Sequence, residues 1–307
     1  MEATLGFLPV RRSQIGFYHN TPLFRRTREG DFVLYKAEGV RLDSARIRED
    51  RIPPLFLRAA DRLTAIQELQ SGFTRTLEHN IRSNDRGAVK TTLCNLVEET
   101  LAEPRAGALY LLPKTVDILI DGYADQPAIL RSLTDISFKD YTTAIHSVNV
   151  MALTLGFCFY RGYSVERTRI YGVAALLHDI GKTRVPTELL TAPRRLTAEE
   201  FAIVQRHPKI GQELLHTESG IEEPTVLAAT GEHHERLDGT GYPNQIQDIT
   251  PIGRLLSIID AYEALTNEDR PYRRAARPID ALTLLKAEAD QGKFDTAKLR
   301  RFSYSLL

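Results

Sequence analysis

Apolar residues along this chain change their spacing once. From Gly6 to Leu57 they come in short runs. Phe32-Val33-Leu34-Tyr35 follows the turn signal Gly30-Asp31, and Leu55-Phe56-Leu57 follows Pro53-Pro54, as in short strands bounded by turn residues. These runs predict a small sheet. Beyond them the spacing is helical. Leu63, Ile66, Leu69, Phe73 and Leu77 share one face, and Val89, Leu93, Leu96, Val97 and Leu101 another, with the polar stretch Arg82-Ser83-Asn84-Asp85-Arg86-Gly87 between them. Further helical periods run through Leu109 to Tyr123, Ile145 to Leu155 and Ile170 to Leu177, and no strand pattern follows the polar stretch.

Local signals place several helix ends. Thr197 with Glu200 three residues later reads as a capping box, and Leu196 with Phe201 as a hydrophobic staple. His207 falls where that helix must stop, because Pro208 disfavours helical geometry at the residue before it. Thr250-Pro251 opens another helix, with Leu255, Ile258, Ile259 and Tyr262 on one face. The fold class expected is an all-α helical bundle preceded by a small α+β N-terminal domain. Its divisions are an accessory domain with a helix over residues 1–82, a helical linker with the first bundle helices over 83–135, and the main helical domain over 136–307.

Composition narrows the classes of function. At 307 residues the chain can hold one large or two ordinary domains. It is 42% hydrophobic and 26% charged, with a formal net charge of +0. Nothing in that balance marks a DNA or membrane binder, so any anion binding must come from local clusters. Cys94 and Cys158 are too few for a disulfide framework and point to a reducing compartment. Met1 to Val10 lacks the basic start and cleavage site of a secretory signal. The longest apolar run, around Met151 to Tyr160, is too short to span a bilayer. A cytoplasmic protein without a membrane span is expected.

The candidate chemistry lies in histidines and carboxylates. His178 and Asp179 adjoin at the end of an apolar run, His146 precedes them, and His207, His233, His234 and Asp260 follow at loop-sized separations. Nitrogen and oxygen donors without a nearby thiolate suit a pair of divalent ions such as Fe or Mn. Neighbours on a helix point about 100° apart, so His178 can bind one ion while Asp179 bridges to a second. His233-His234 reads as the same arrangement on another helix. Separate hydrogen bonding or solvation of each group is the plain alternative, yet six of the eight histidines fall between His146 and His234. Asp179 and Asp260 both end apolar runs, where an unpaired carboxylate carries a desolvation cost that a cation relieves. Paired divalent ions serve phosphoester hydrolysis by lowering the pKa of a water and stabilising attacking and leaving oxygens. Lys182, Arg270 and Arg273 are placed to neutralise phosphate charge. For the arginines, with Arg274 and Arg277, a solvated basic face is the competing reading.

Together, His178-Asp179-Ile180-Gly181-Lys182, His207-Pro208 and His233-His234-Glu235-Arg236-Leu237-Asp238-Gly239-Thr240-Gly241-Tyr242-Pro243 resemble the HD-GYP family, a branch of the HD phosphohydrolases that hydrolyse cyclic di-GMP. The likeness runs from about Tyr141 to Phe294, and Gly6 to Asp61 looks like the small N-terminal domain of some members. The resemblance implies an all-helical catalytic domain with two metal ions and a hydroxide between them as nucleophile. One ion would be held by His146, His178, Asp179 and Asp260, the other by Asp179, His207, His233 and His234. Asp179 and Lys182 are the implied catalytic residues, and Lys182, Arg270, Arg273 and Tyr242 the implied substrate-binding ones, Tyr242 within a signature loop that supports the site.

The chain departs from the family pattern in places. Thr142 stands four residues before His146, where members often carry Glu or Tyr, which argues against a third ion. Ala192-Pro193-Arg194 replaces Lys-Pro-Gly, Leu237 replaces an aromatic, Glu263 replaces Asp, and an extra residue lies between Thr266 and Arg270. Three functions are therefore weighed. The first is a phosphodiesterase opening cyclic di-GMP to pGpG, with GMP left open as a further product. The second is a metal-retaining receptor or protein-interaction module with little turnover, and the third an HD phosphohydrolase on another nucleotide. A cyclic dinucleotide is the expected partner in the first two, and signalling proteins are candidate partners for the N-terminal domain.

Overall fold

A computed structural model describes residues 6–42, 52–102, 109, 112–126, 128–135, 142–267 and 275–307. Four short strands, β1 (Phe7–Val10), β2 (Leu23–Arg26), β3 (Phe32–Lys36) and β4 (Leu55–Arg58), form an antiparallel sheet in the order β1-β4-β2-β3. Phe7 lies opposite Arg58, and Phe24 pairs with Leu34 on one side and Phe56 on the other. Alternation along the strands sends Leu23, Leu55 and Leu57 into a small core with Ile15 and Tyr18. Phe56 points the other way, into an aromatic group with Phe7, Phe24 and Phe32.

The rest is helical, and among the described residues no strand follows Arg58. After the one-turn α1 (Arg12–Ile15) come α2 (Arg62–Arg82), α3 (Arg86–Ala102), α4 (Leu112–Asp125), α5 (Ala128–Asp135), α6 (Thr143–Tyr160) and α7 (Val165–Leu177). A 3-10 turn (Ile180–Arg184) leads to α8 (Thr187–Leu190), α9 (Ala198–Val204), α10 (His207–Glu213), α11 (Pro224–Glu232), α12 (Pro251–Thr266), α13 (Pro278–Asp290) and α14 (Thr296–Ser305). Sheet and bundle meet at α2. Its Glu68 carboxylate accepts the backbone N–H groups of His19, Asn20 and Thr21, and its Phe73, Leu77 and Ile81 enter the main core.

That core is built around α6, which packs against α3, α5, α7 and α12. Val148, Met151 and Leu155 of α6, Leu176 of α7 and Ile258 and Ile259 of α12 are fully buried. Each contributes on the order of 1.5–3 kcal/mol by leaving water. α6 is also the one described helix long and apolar enough to cross a membrane, but most of it is covered by its neighbours. Helix starts follow their caps. Thr197 and Glu200 form the expected box, Thr250 caps α12, and Ser164 caps α7. Thr142, which departs from the family pattern, caps α6 by accepting from Ile145 N.

Candidate metal centre

The histidines sit where helices end. His178 is the first residue past α7 and His233 the first past α11, so neither the His178-Asp179 nor the His233-His234 pair lies within a helix as the sequence pattern suggested. The last carbonyls of a helix lack intrahelical partners, and these imidazoles supply them. His178 Nδ1–H donates to Ala175 O at 2.7 Å, and His233 Nδ1–H to Thr230 O at 2.9 Å. His207 donates from Nδ1 to Val204 O, in the last turn of α9, at 2.8 Å. The preceding helix stops at Val204, and His207 opens α10 with Pro208 in its first turn, where a missing N–H costs nothing.

A carbonyl only accepts, so these contacts fix the tautomers and leave three Nε2 lone pairs bare and facing inward. His146 is turned the same way by a carboxylate, with Nδ1 at 2.6 Å from Glu263 Oε2. Nε2 of His146 then lies 3.1 Å from Nε2 of His178, and Nε2 of His207 lies 3.2 Å from that of His233. Asp179 stands between the two pairs. Its Oδ2 is 3.5 Å from His146 and 3.6 Å from His178, and its Oδ1 is 3.1 Å from His207 and 3.6 Å from His233. Asp260 spans them on another side, with Oδ1 3.0 Å from His146 Nε2 and Oδ2 3.6 Å from His234 Nδ1.

Backbone contacts hold this arrangement. A Cβ on Gly181 would lie 1.9 Å from the carbonyl oxygen of His207 and 2.6 Å from Gly211 N. The 3-10 turn therefore meets α10 backbone to backbone, which carries His207 up to Asp179. Gly241 has the same role in the signature loop, where a Cβ would lie 2.4 Å from Arg236 N. The fold-back is fastened by the buried Glu235, whose Oε1 accepts from Asn244 N at 2.7 Å. It lays the Tyr242 ring against His234, centroids 4.6 Å apart.

Electrostatics follow from burial. It pushes His178 down to about 3 and lowers His207 and His234 as well, so these three are neutral ligating bases. Burial also disfavours a charged His146, but the Glu263 carboxylate, with Asp260 behind it, overcomes this and raises it to about 9. Asp179 pays the desolvation of a buried carboxylate, and the Lys182 ammonium beside it reverses the effect, holding it well below the usual range. Asp260 is likewise disfavoured by burial and held well down by His146 and His234.

The donor set fits a cation. Lone pairs opposed at 3.2 Å between His207 and His233 repel one another, and Asp179 Oδ1 is buried without a hydrogen-bond donor because the histidines facing it bring lone pairs. Two groups of donor atoms, each with all members within 4.8 Å of one another, share Asp179: His146, His178 and Asp179, and Asp179, His207, His233 and His234. This is a site for divalent metal, with nitrogen and oxygen ligands alone. The free cysteines, Cys94 and Cys158, are buried outside both groups.

The structure thus gathers His146, His178, Asp179, His207, His233, His234 and Asp260 at one place. Lys182 joins them, but its Nζ donates to Asp179 Oδ2 at 2.5 Å rather than standing open for phosphate. Tyr242 flanks the site through His234. Arg270 and Arg273 lie outside the described residues. Glu263 was legible only as a departure from a pattern, although it sits on Asp260's helix face three residues on.

A profile of the HD domain family matches residues 143–297, and the chain belongs to that family. Residues of the chain are 35% identical over 189 positions to a cyclic di-GMP phosphodiesterase of Pseudomonas aeruginosa, covering 61% of this chain and 45% of that one. They are 42% identical over 157 positions to a 3'3'-cGAMP-specific phosphodiesterase of Vibrio cholerae, covering 50% of this chain and 30% of that one. The chain spans less than half the length of either relative. An HDG"Y"P protein of Bdellovibrio bacteriovorus has the same fold, with TM-score 0.67 at 18% identity over 98% of this chain and 99% of that one.

Proposed function

We propose that the chain is a metal-dependent phosphodiesterase that opens cyclic di-GMP to pGpG. The observation that carries this reading is the pair of donor groups sharing one buried carboxylate, Asp179. They would hold two divalent ions, Fe or Mn, one by His146, His178, Asp179 and Asp260 and the other by Asp179, His207, His233 and His234. When bound, such ions activate a water and stabilise the oxygens that attack and leave phosphorus.

The chain's own groups do the rest. The helix-end carbonyls and Glu263 hold protons on Nδ1 of His178, His207, His233 and His146, so Nε2 of the first three faces the site ready to ligate and that of His146 ligates once its own proton is given up. The ligands are buried except toward His234 and Lys182, whose side chains keep 17% and 22% exposure; that side is the mouth for substrate. Lys182, paired with Asp179 and partly exposed on that side, would neutralise a phosphate oxygen of the substrate. Tyr242 screens His234 from water on the same side. Arg270 and Arg273 complete the phosphate contacts, and Cys94 and Cys158, free and buried, suit a cytoplasmic setting.

The test is chromatographic. Protein loaded with Mn is incubated with cyclic di-GMP, and separately with 3'3'-cGAMP, and the products are resolved. Appearance of pGpG is expected, faster than any product from 3'3'-cGAMP. Full metal occupancy without product from either would refute this reading and leave a receptor or a phosphohydrolase on another nucleotide.

A further inference from the structure

One departure noted in the sequence is Glu263 in place of Asp, and the structure gives it a setting. Glu263 is buried on α12. Its Oε2 faces His146 Nδ1 at 2.6 Å, while its Oε1 accepts from Asn149 Nδ2 at 2.8 Å and from Asn267 Nδ2 at 2.8 Å. Asn267 is the C-cap of α12, its N–H bonded to the Glu263 carbonyl. One carboxylate therefore serves three donors, from a metal-binding imidazole, from α6 and from the end of its own helix.

We infer that Glu263 is a positioning residue for the metal centre: it sets the direction in which His146 Nε2 points and ties that direction to the C-terminal cap of α12. The inference rests on the metal-centre reading proposed above. The chemistry requires an acid here. Each hydrogen bond described for the Glu263 side chain is from a donor, so both oxygens accept, and an amide of the same length would turn one NH2 group against either an asparagine amide or the His146 N–H. Length matters equally. An Asp would hold its carboxylate one methylene nearer α12, too short to face His146 across the helix pair while still meeting Asn267, which folds back as the cap. Groups that orient metal-binding histidines typically change metal affinity by about 10–100-fold when replaced.

The experiment is a titration of the full chain with Mn(II), read by loss of the free-ion electron paramagnetic resonance signal, alongside thermal melts of the metal-free proteins. Glu263→Gln should weaken Mn(II) binding by roughly 10–100-fold, and Asn267→Ala, which removes the amide donor to Glu263 Oε1 but keeps the backbone N–H of the cap, should weaken it less. Glu263→Asp, which keeps the charge but is too short to face His146, should weaken binding by a similar factor. A merely structural Glu263 would lower the melting temperature and leave the affinity of the folded protein unchanged. That result, or equal binding by the Gln variant and the parent, overturns the inference while leaving the metal site intact. Failure of the parent chain to bind Mn(II) would instead overturn the metal-centre reading and this inference with it.

Discussion

The close approach of Gly181 to α10 makes a demanding test, because it lies at backbone rather than at any ligand. Gly181→Ala adds a single methyl group. That carbon would sit 1.9 Å from the His207 carbonyl oxygen, about 1.1 Å inside the 3.0 Å limit for such contacts, and 2.6 Å from Gly211 N. Both obstacles are main chain, so no side chain can swing aside and the 3-10 turn must part from α10 by about that amount. Overpacking of this kind costs about 1–3 kcal/mol. The displacement also carries His207 away from Asp179, from which its Nε2 stands 3.1 Å. Misplacement of a reacting group by about 1 Å lowers rates on the order of a hundredfold. Metal content by mass spectrometry, melting temperature and cyclic di-GMP turnover are read together, with Gly156→Ala as control. A Cβ on Gly156 of α6 has nothing within 4 Å, and that variant should match the parent or melt slightly higher. Gly181→Ala should fold, lose ions from the His207 side and lose roughly a hundredfold in turnover. Parent-like metal content and turnover would refute the claim that this backbone contact places His207.

Other expectations follow from the same geometry. Asp179→Asn should abolish retention of ions and turnover together, and turnover surviving in ion-free protein would place the chemistry elsewhere. Lys182→Ala should keep its metal and lose roughly a hundredfold in turnover; an unchanged rate would leave Lys182 as a counter-charge to Asp179 alone. Arg270→Ala should raise KM without changing metal content, and unchanged affinity for cyclic di-GMP would return Arg270 to a solvated basic face. Metal-free protein should be most stable near pH 6.5. His146, raised from 6.5 to about 9, contributes stability that is fully present below 6.5 and is lost as pH rises through 9. His178, lowered from 6.5 to about 3, contributes stability that is lost as pH falls below 6.5. Melts across pH 4 to 10 in chelator would show the maximum, and a monotonic rise to pH 9 would contradict the role given to Glu263 beside His146.

The sequence showed which residues would meet but not how they are held. Two spacings of apolar residues separated the sheet from the helices, and capping signals such as Thr197 with Glu200 marked real helix starts. The metal donors were legible because buried imidazoles and carboxylates ending apolar runs have few other uses. Their orientation was not legible. Whether His178 lies within a helix or just beyond it depends on where α7 terminates, and no Gly or Pro stands at that point. Pro208 signalled a break correctly, but a proline in a first turn opens a helix as readily as it closes the one before. Glu263 and His146 are 117 positions apart, so only the packing of α6 on α12 reveals the pair. Lys182 was expected to meet phosphate by its spacing from His178, and its pairing with a buried carboxylate three residues away could not be read from that spacing.

The carbonyls that hold the His178, His207 and His233 protons belong to the scaffold itself. The chelating cage is consequently a property of the finished protein and needs no ion as a template during assembly. A folded chain of this kind would gain, lose or exchange an ion without repaying conformational entropy, so the supply of each cation, rather than the route of folding, would determine which one it carries.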